Sequence, residues 1–464
     1  MVKQQLVGGR RTSRRLVALV AAIAVVILGT PATSGAHSAN EPLVYLDFTD
    51  IAVGGRVEFP TPMIEEYLGI PLEGKGQALI PQLEADLPRL QAFADEHLDI
   101  IVDGQAMPLT WTGLDILFEE GIDTDLNFVD LGFTVEGLDG EIPRTFDVRF
   151  DPFFDETDDS TALLLIGNDI QGGIFENGEE WLIDFDDDNR VRSVDLGDAS
   201  QWNNFSSSVT LGIDHIKTGP DHILFILVLL LPSVLVFRNG WLPGDSFGSS
   251  LWRILKIVTM FTVAHTITFS LAGLGILPLP PSKLVESIIA ISIALAALHN
   301  LKPIAPNKEW AIAFGFGLFH GMGFATLVEG LDVSRKTQLV SLLGRNIGIE
   351  IGQTAVVLLS FSALFLMRRT RYYQPLFFLA SLVLAGIALG WMYERVFEVD
   401  LGINGFVEPF FKFPRILVPV ALGTIVAAGI QRFEATTGRL LPTAEQLEGR
   451  TGDPEADERI TVGV

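Results

Sequence analysis

Long apolar segments after Trp202 are the feature that most constrains what this chain can fold into. A helix that crosses a bilayer needs about 20 consecutive, mostly apolar residues. Seven candidates of roughly this kind cover residues 222–237, 254–274, 284–299, 310–328, 347–367, 375–393 and 417–430. The hydrophobic share of 48% and the mean hydropathy of +0.38 are also high for a soluble domain. The sequence therefore predicts an all-α polytopic bundle of about seven transmembrane helices over 205–431.

The beginning of the chain has the residue order of a secretory signal. Lys3 and four arginines precede an apolar run over 16–28, and the small residues Ser34, Gly35 and Ala36 follow it. A basic region, an apolar region and a small-residue cleavage site are the three parts of a signal peptide. We therefore expect a signal peptide over 1–36, which sends the next domain across the membrane.

Nearly all of the acidic charge lies in that next domain. Residues 41–200 hold 38 Asp and Glu against 7 Lys and Arg, whereas residues 201–464 hold 19 against 20. Such a negative field repels nucleic acid, which excludes it as a partner. The chain has no cysteine, so disulfides, thiolate zinc sites and cysteine nucleophiles are excluded as well.

Short alternating segments in this acidic region are typical of half-buried strands. Residues 43–48, 127–135, 145–150 and 161–166 show the alternation, and Asp103-Gly104 is a turn signal between such runs. The prediction is a multi-domain membrane protein whose residues 37–204 form an acidic, mostly β extracytoplasmic domain. The many short strands favour a sandwich.

Loop charges predict the orientation of the bundle. Three loops with basic residues, such as Arg238, Lys302 and Arg369, fall on one side of the predicted spans. The positive-inside rule assigns that side to the cytoplasm. The protein is then expected in the inner or plasma membrane, with the acidic domain outside and a polar cytoplasmic tail over 432–464.

Two acid–histidine pairs stand at the start of the first predicted span. Asp214-His215 and Asp221-His222 lie within nine residues, and Gly219-Pro220 between them predicts a bend that folds them together. Carboxylate oxygen and neutral imidazole nitrogen suit a borderline divalent cation such as Ni, Co, Zn or Fe. The sequence gives no sign of an organic cofactor.

Further ionisable side chains lie within the predicted spans, where a charged group costs about 2.5–3.5 kcal/mol on insertion scales. His265 and His320 fall near the centres of their spans, and Glu350 shares a polar helix face with Asn346. Because of this cost, we interpret these ionisable side chains as functional rather than structural. For His299, at the cytoplasmic end of its span, an interhelical hydrogen bond is the favoured interpretation.

Four blocks of the sequence resemble the HupE/UreJ family of hydrogenase and urease accessory proteins. They cover residues 212–225, 261–271, 314–325 and 346–353, and the resemblance extends over roughly 205–395. Within the first block, His215, Gly219, Asp221 and His222 stand where the family motif has them, whereas Ile216 replaces its usual proline. The large N-terminal domain resembles a longer subgroup of the family.

The resemblance implies nickel or cobalt uptake for metalloenzyme maturation, and with it partners in that maturation. It implies a ligand set from this chain, namely His215, Asp221, His222, His265, His320 and Glu350. The leading hypothesis is therefore a permease for a divalent transition metal, with zinc as a further possible cargo and Asp214 among the residues that receive the ion. Two alternatives stay open at this point: an intramembrane zinc hydrolase with Glu350 as base, and a membrane-anchored binding or sensory module.

Overall fold

The chain divides into two compact units in the computed structural model. The structure describes residues 41–451, except 75, 121–124, 139–141, 158–159, 176–181, 307, 324–332, 406 and 408–416. The first unit comprises the described parts of 34–208 together with 330–344, and the second comprises those of 209–329 and 345–464. The predicted signal peptide over 1–36 lies outside the described residues.

The first unit is built on two sheets, one of six and one of four strands among the described residues. Its strands are β1 (Leu43–Phe48), β2 (Val53–Pro60), β3 (Leu98–Val102), β4 (Gln105–Ala106), β5 (Leu109–Glu120), β6 (Asp125–Val135), β7 (Thr145–Phe150), β8 (Thr161–Asp169), β9 (Leu182–Asp186) and β10 (Val191–Asp195). The sheet orders are β5-β6-β2-β1-β8-β9 and β10-β7-β3-β4. Neighbouring strands are antiparallel except for β1 and β8.

Alternation in the sequence explains these strands. In β1, Val44, Leu46 and Phe48 are fully or almost fully buried while the residues between them are partly exposed. Both sheets contribute to one apolar core, in which the rings of Phe48 and Phe146 are 5.1 Å apart. The prediction of a mostly β domain is confirmed, and the sandwich stays a prediction.

Helices make up almost all of the second unit. The α-helices of the described residues, in both units, are α1 (Thr61–Met63), α2 (Ile80–Leu83), α3 (Leu87–His97), α4 (Gln201–Thr218), α5 (Pro220–Ser233), α6 (Phe247–Gly273), α7 (Ser282–Leu301), α8 (Glu309–Gly323), α9 (Arg335–Met367), α10 (Tyr373–Phe397), α11 (Leu417–Thr436) and α12 (Ala444–Thr451). Helix α6 packs against α8, and α7 packs against α10. A buried apolar cluster drawn from α5 to α10 forms the core of this unit.

Four helices of the described chain are long and apolar enough to cross a membrane, namely α6, α7, α9 and α10. The bent pair of α4 and α5 raises the number to five if it forms one span. Helix α8 has 15 residues, and 324–332, which follow it, are not described. The prediction of a bundle of apolar helices is confirmed, with four or five candidate spans in the described chain. The predicted number of about seven is not confirmed.

The first predicted span ends earlier than the sequence indicated. We expected it to continue to Phe237, but α5 ends at Ser233, just after Pro232. Residues beyond it form a hairpin of β11 (Leu235–Phe237) and β12 (Trp241–Pro243). Asn239 at its tip has a positive φ of 54°, and Asn-Gly is the strongest short signal for such a turn.

Candidate metal site

A sharp bend between α4 and α5 begins the site. The two helices meet at 72° around Gly219, and Pro220 opens α5. Proline is favoured in the first turn of a helix because its missing N–H would be unpaired there in any case. The bend brings His215 from the last turn of α4 to His222 in the first turn of α5, with ring centroids 4.7 Å apart. The bend that Gly219-Pro220 predicted is thus present.

A third histidine reaches this pair from α6. His265 is fully buried, and its ring lies 6.1 Å from that of His222. Together, His215, His222 and His265 offer nitrogen atoms that all lie within 4.8 Å of one another. We call these three residues the histidine cluster. Imidazole nitrogens grouped in this way are ligands for Ni, Co or Zn.

Asp221 orients one member of the histidine cluster. Its Oδ1 lies 3.2 Å from Nδ1 of His222, and a carboxylate can only accept this hydrogen bond. A proton on Nδ1 places the lone pair of the His222 ring on Nε2. Carboxylate–histidine pairs of this type fix the ring and its tautomer in metal sites. Asp221 is therefore placed as a positioning residue.

His320 lies beside the histidine cluster, with its ring 5.5 Å from that of His222. The Ser292 hydroxyl donates its proton to the Ile289 carbonyl at 2.7 Å, so its oxygen accepts a proton from Nε2 of His320 at 3.0 Å. The lone pair of His320 is then on Nδ1, a buried atom without a hydrogen-bond partner among the described residues. The ring is therefore prepared to bind a cation through Nδ1.

Close contact between α6 and α8 brings His265 and His320 to the same region. A methyl group at Gly321 would overlap Thr268 Oγ1 and the His265 carbonyl, and one at Gly317 would meet the Phe261 carbonyl. These two glycines therefore let α6 and α8 approach closely. At Gly315 an added methyl group has no neighbour within 4 Å in the described structure.

The polar face of α9 is directed to the threonines of α6. Thr259 donates to Oε1 of Glu350 at 2.6 Å, and Thr266 donates to Oδ1 of Asn346 at 2.9 Å. The second carboxylate oxygen of Glu350 is buried without a partner in the described structure. Glu350 therefore lies on a polar helix contact and is outside the histidine cluster.

Asp214 is turned away from these groups. Its side chain is 45% exposed and pairs with Lys217 one helical turn later, at 2.6 Å. Of the seven predicted ligands, the structure thus groups three tightly, places Asp221 and His320 next to them, and leaves Glu350 and Asp214 apart. Sequence reasoning missed Ser292, although a small hydroxyl residue in an apolar helix is a signal for an interhelical hydrogen bond.

Apolar helices long enough to cross a membrane surround a cluster of three histidines that could hold a metal ion, and the class of protein they indicate is a membrane protein. A family model described as HupE / UreJ protein matches residues 192–395, which include α4 to α9 and most of α10, and in this segment the chain is similar to the HupE/UreJ family. This family of membrane accessory and transport proteins is implicated in nickel and cobalt uptake or in accessory roles. A search of curated proteins gave no match.

Proposed function

We propose that this protein is a permease for a divalent transition-metal cation, with nickel or cobalt as the first candidates and zinc as a third. The proposed location is the cell membrane, with the acidic sheet unit outside and the C-terminal tail in the cytoplasm. The basic loops and the signal-like N-terminus support this orientation.

The observation that carries the proposal is the histidine cluster. Three imidazoles with ligand atoms within 4.8 Å of one another stand inside an apolar bundle, where ionisable groups are costly. Asn346 approaches the ring of His265, but neither ring nitrogen meets the full geometry of a hydrogen bond in the described structure. A buried polar atom without a partner costs about 1–3 kcal/mol, and a bound cation would offset that cost.

His320 supports transport rather than permanent storage. Its available Nδ1 lies outside the closely spaced group but next to it. A cargo ion needs neighbouring positions of comparable affinity, because an ion held too tightly at one position does not leave. We propose that the ion binds first at the histidine cluster and is then shared with His320, with Glu350 further along the bundle.

The test is uptake by the purified full chain in proteoliposomes. Ni²⁺, Co²⁺ and Zn²⁺ are offered separately, and bound metal is quantified in detergent. We expect saturable flux of one of these ions, and its reduction to the level of empty liposomes in His222→Ala. The matched control is His299→Ala, which removes a buried histidine of the same unit outside the cluster. Wild-type flux in His222→Ala would sink the proposal.

A zinc hydrolase is the second candidate, because three histidines are also the ligands of some catalytic zinc sites. The unpartnered Oε2 of Glu350 in the described structure would supply a base. Stoichiometric tightly bound zinc, hydrolysis of a lipid ester or amide, and no flux would favour this reading over the permease.

A further inference from the structure

A polar cavity reaches the bend beside the histidine cluster. It has a volume of about 290 Å³ and lies between the start of α5 and helices α7 and α10. Its polar lining includes Asp221, Glu286, Trp391, Arg395 and Asn404. We call it the access cavity. Asp221 lines it and also bonds to His222, so the cavity ends one side chain away from the histidine cluster.

The volume fits a hydrated cation. One water occupies about 30 Å³ of liquid volume, so six waters around an ion need roughly 180 Å³. The access cavity is larger than this, at about 290 Å³. By contrast, His222 and His265 are 1% and 0% exposed, and the space around them suits an ion that has lost its water.

Trp391 indicates that the access cavity is wet. Its side chain is 1% exposed, and its indole N–H has no hydrogen-bond partner among the described residues. A buried donor of this kind normally bonds to ordered water when protein offers no acceptor. A water in the access cavity would satisfy it.

The charges in the lining favour a cation. Asp221 and Glu286 bring two carboxylates against the one guanidinium of Arg395. Arg395 Nε lies 3.2 Å from Glu286 Oε2, and the Glu286 side chain is 45% exposed, whereas that of Asp221 is 17% exposed. The two carboxylates thus mark a more open and a more buried position of one cavity.

We infer that the access cavity receives the hydrated divalent cation and delivers it to the histidine cluster. Glu286 attracts the ion at the more open position. Arg395 lowers the negative charge there, so that the ion is not retained, since conduction needs weak intermediate sites. Asp221 takes the ion next, and the imidazoles replace its water. This inference rests on the proposed permease function.

The experiment compares two carboxylates that differ in place but share chemistry. Glu286→Gln removes the charge from the access cavity. Glu398→Gln is the matched control, because Glu398 also pairs with a cation, Lys283 at 2.7 Å, but is 75% exposed and does not line the cavity. Initial rates of Ni²⁺ uptake are measured against concentration, together with equilibrium Ni²⁺ binding to the full chain in detergent.

For Glu286→Gln we expect KM to rise about tenfold, because a charged cleft concentrates its counter-ion by about this factor or more. Maximal flux and equilibrium binding should stay at the wild-type values, since the histidine cluster is intact. Equal KM values for Glu286→Gln and Glu398→Gln, with normal wild-type flux, would overturn this inference and leave the permease standing. No Ni²⁺ flux or binding in the wild type would overturn both.

A second variant tests the space itself. Ala290 is 2% exposed and lines the access cavity, so Ala290→Phe fills it. The neighbouring Ile291→Phe, at a 37% exposed position outside the lining, is its control. We expect at least a tenfold loss of flux in Ala290→Phe alone, with Ni²⁺ still bound after long incubation. Equal flux in the two variants would show that the ion takes another route.

Discussion

One buried polar residue from each unit of this protein shows the contrast between a paired and an unpaired side chain. In the sheet unit, Asp169 is fully buried, and both of its oxygens accept hydrogen bonds from Arg144 at 2.7 Å. In the helical unit, His265 is equally buried, and its ring nitrogens make no such bonds in the described structure. Paired groups stabilise the fold that holds them, whereas unpaired ones cost stability unless a ligand binds. The difference distinguishes a buried polar side chain that the fold itself satisfies from one that a ligand would satisfy.

The largest expected effect is on metal uptake. Replacing His265 by leucine removes a ligand but also removes two buried polar atoms that the described structure leaves unpaired. We expect uptake to fall to the level of empty liposomes, while thermal stability in the absence of metal changes by less than about 1 kcal/mol or increases. A loss of several kcal/mol would show that the ring is structural and would remove the contrast between the units.

The reciprocal variant, Asp169→Leu, is expected to act on stability. It leaves the Arg144 guanidinium, which is 18% exposed, without its carboxylate partner. Removing one partner of a buried ion pair lowers the free energy of unfolding by about 3–5 kcal/mol. Hydrogen exchange along β8 in the full chain should increase by two orders of magnitude or more, while metal binding to the histidine cluster persists. The control is Asp155→Leu, at a 73% exposed carboxylate paired with Arg190, which should cost less than about 1 kcal/mol.

The smallest expected effect is a pH dependence of the sheet unit. Burial alone would raise the pKa of Asp151, but the hydrogen bond with His97 and the charge of Arg149 bring it below the ordinary value of 3.8. A lowered pKa in the folded state stabilises the fold above the unfolded pKa, and this contribution is lost as pH falls through 3.8 and then through the folded pKa. Melting temperatures should therefore fall less steeply below pH 4 in Asp151→Asn than in the wild type.

If the melting temperature of Asp151→Asn depended on pH in the same way as that of the wild type, the ion pair of Asp151 with Arg149 would add no pH-dependent stability. Asp155→Asn again serves as the control, because its carboxylate also faces Arg190 but is largely exposed. Its profile should follow that of the wild type.

Local features of the fold were predictable from the sequence, because they depend on neighbouring residues. The alternation in β1, the Asp103-Gly104 turn and the bend at Gly219 each follow from a short segment. The hairpin after Ser233 was also open to prediction, but its Asn239-Gly240 signal lay inside a run that was read as a continuous span. The apolar side chains of that run predict a helix more strongly than the Asn-Gly pair predicts a turn.

Contacts between distant helices were not predictable in the same way. Nothing in the sequence states that His265 meets His222, because this depends on how α5 and α6 pack. The position of His320 beside them depends on how closely α6 and α8 approach at Gly321. Likewise, the charge of Asp214 made it a candidate, but Lys217 one turn later takes that carboxylate. The access cavity depends on side chains from α5, α7 and α10 together, and only the assembled bundle reveals it.

The histidine cluster takes one imidazole from each of α4, α5 and α6. A nascent chain that ends in α5 contains two of these three histidines, and the third is added only when α6 has been synthesised. Under the proposed function, affinity for the ion is a property of the assembled bundle, since a site that is absent from the unfolded chain couples binding to folding. Retained metal would accordingly report correct insertion, and a misassembled copy would be recognisable by its failure to hold the ion.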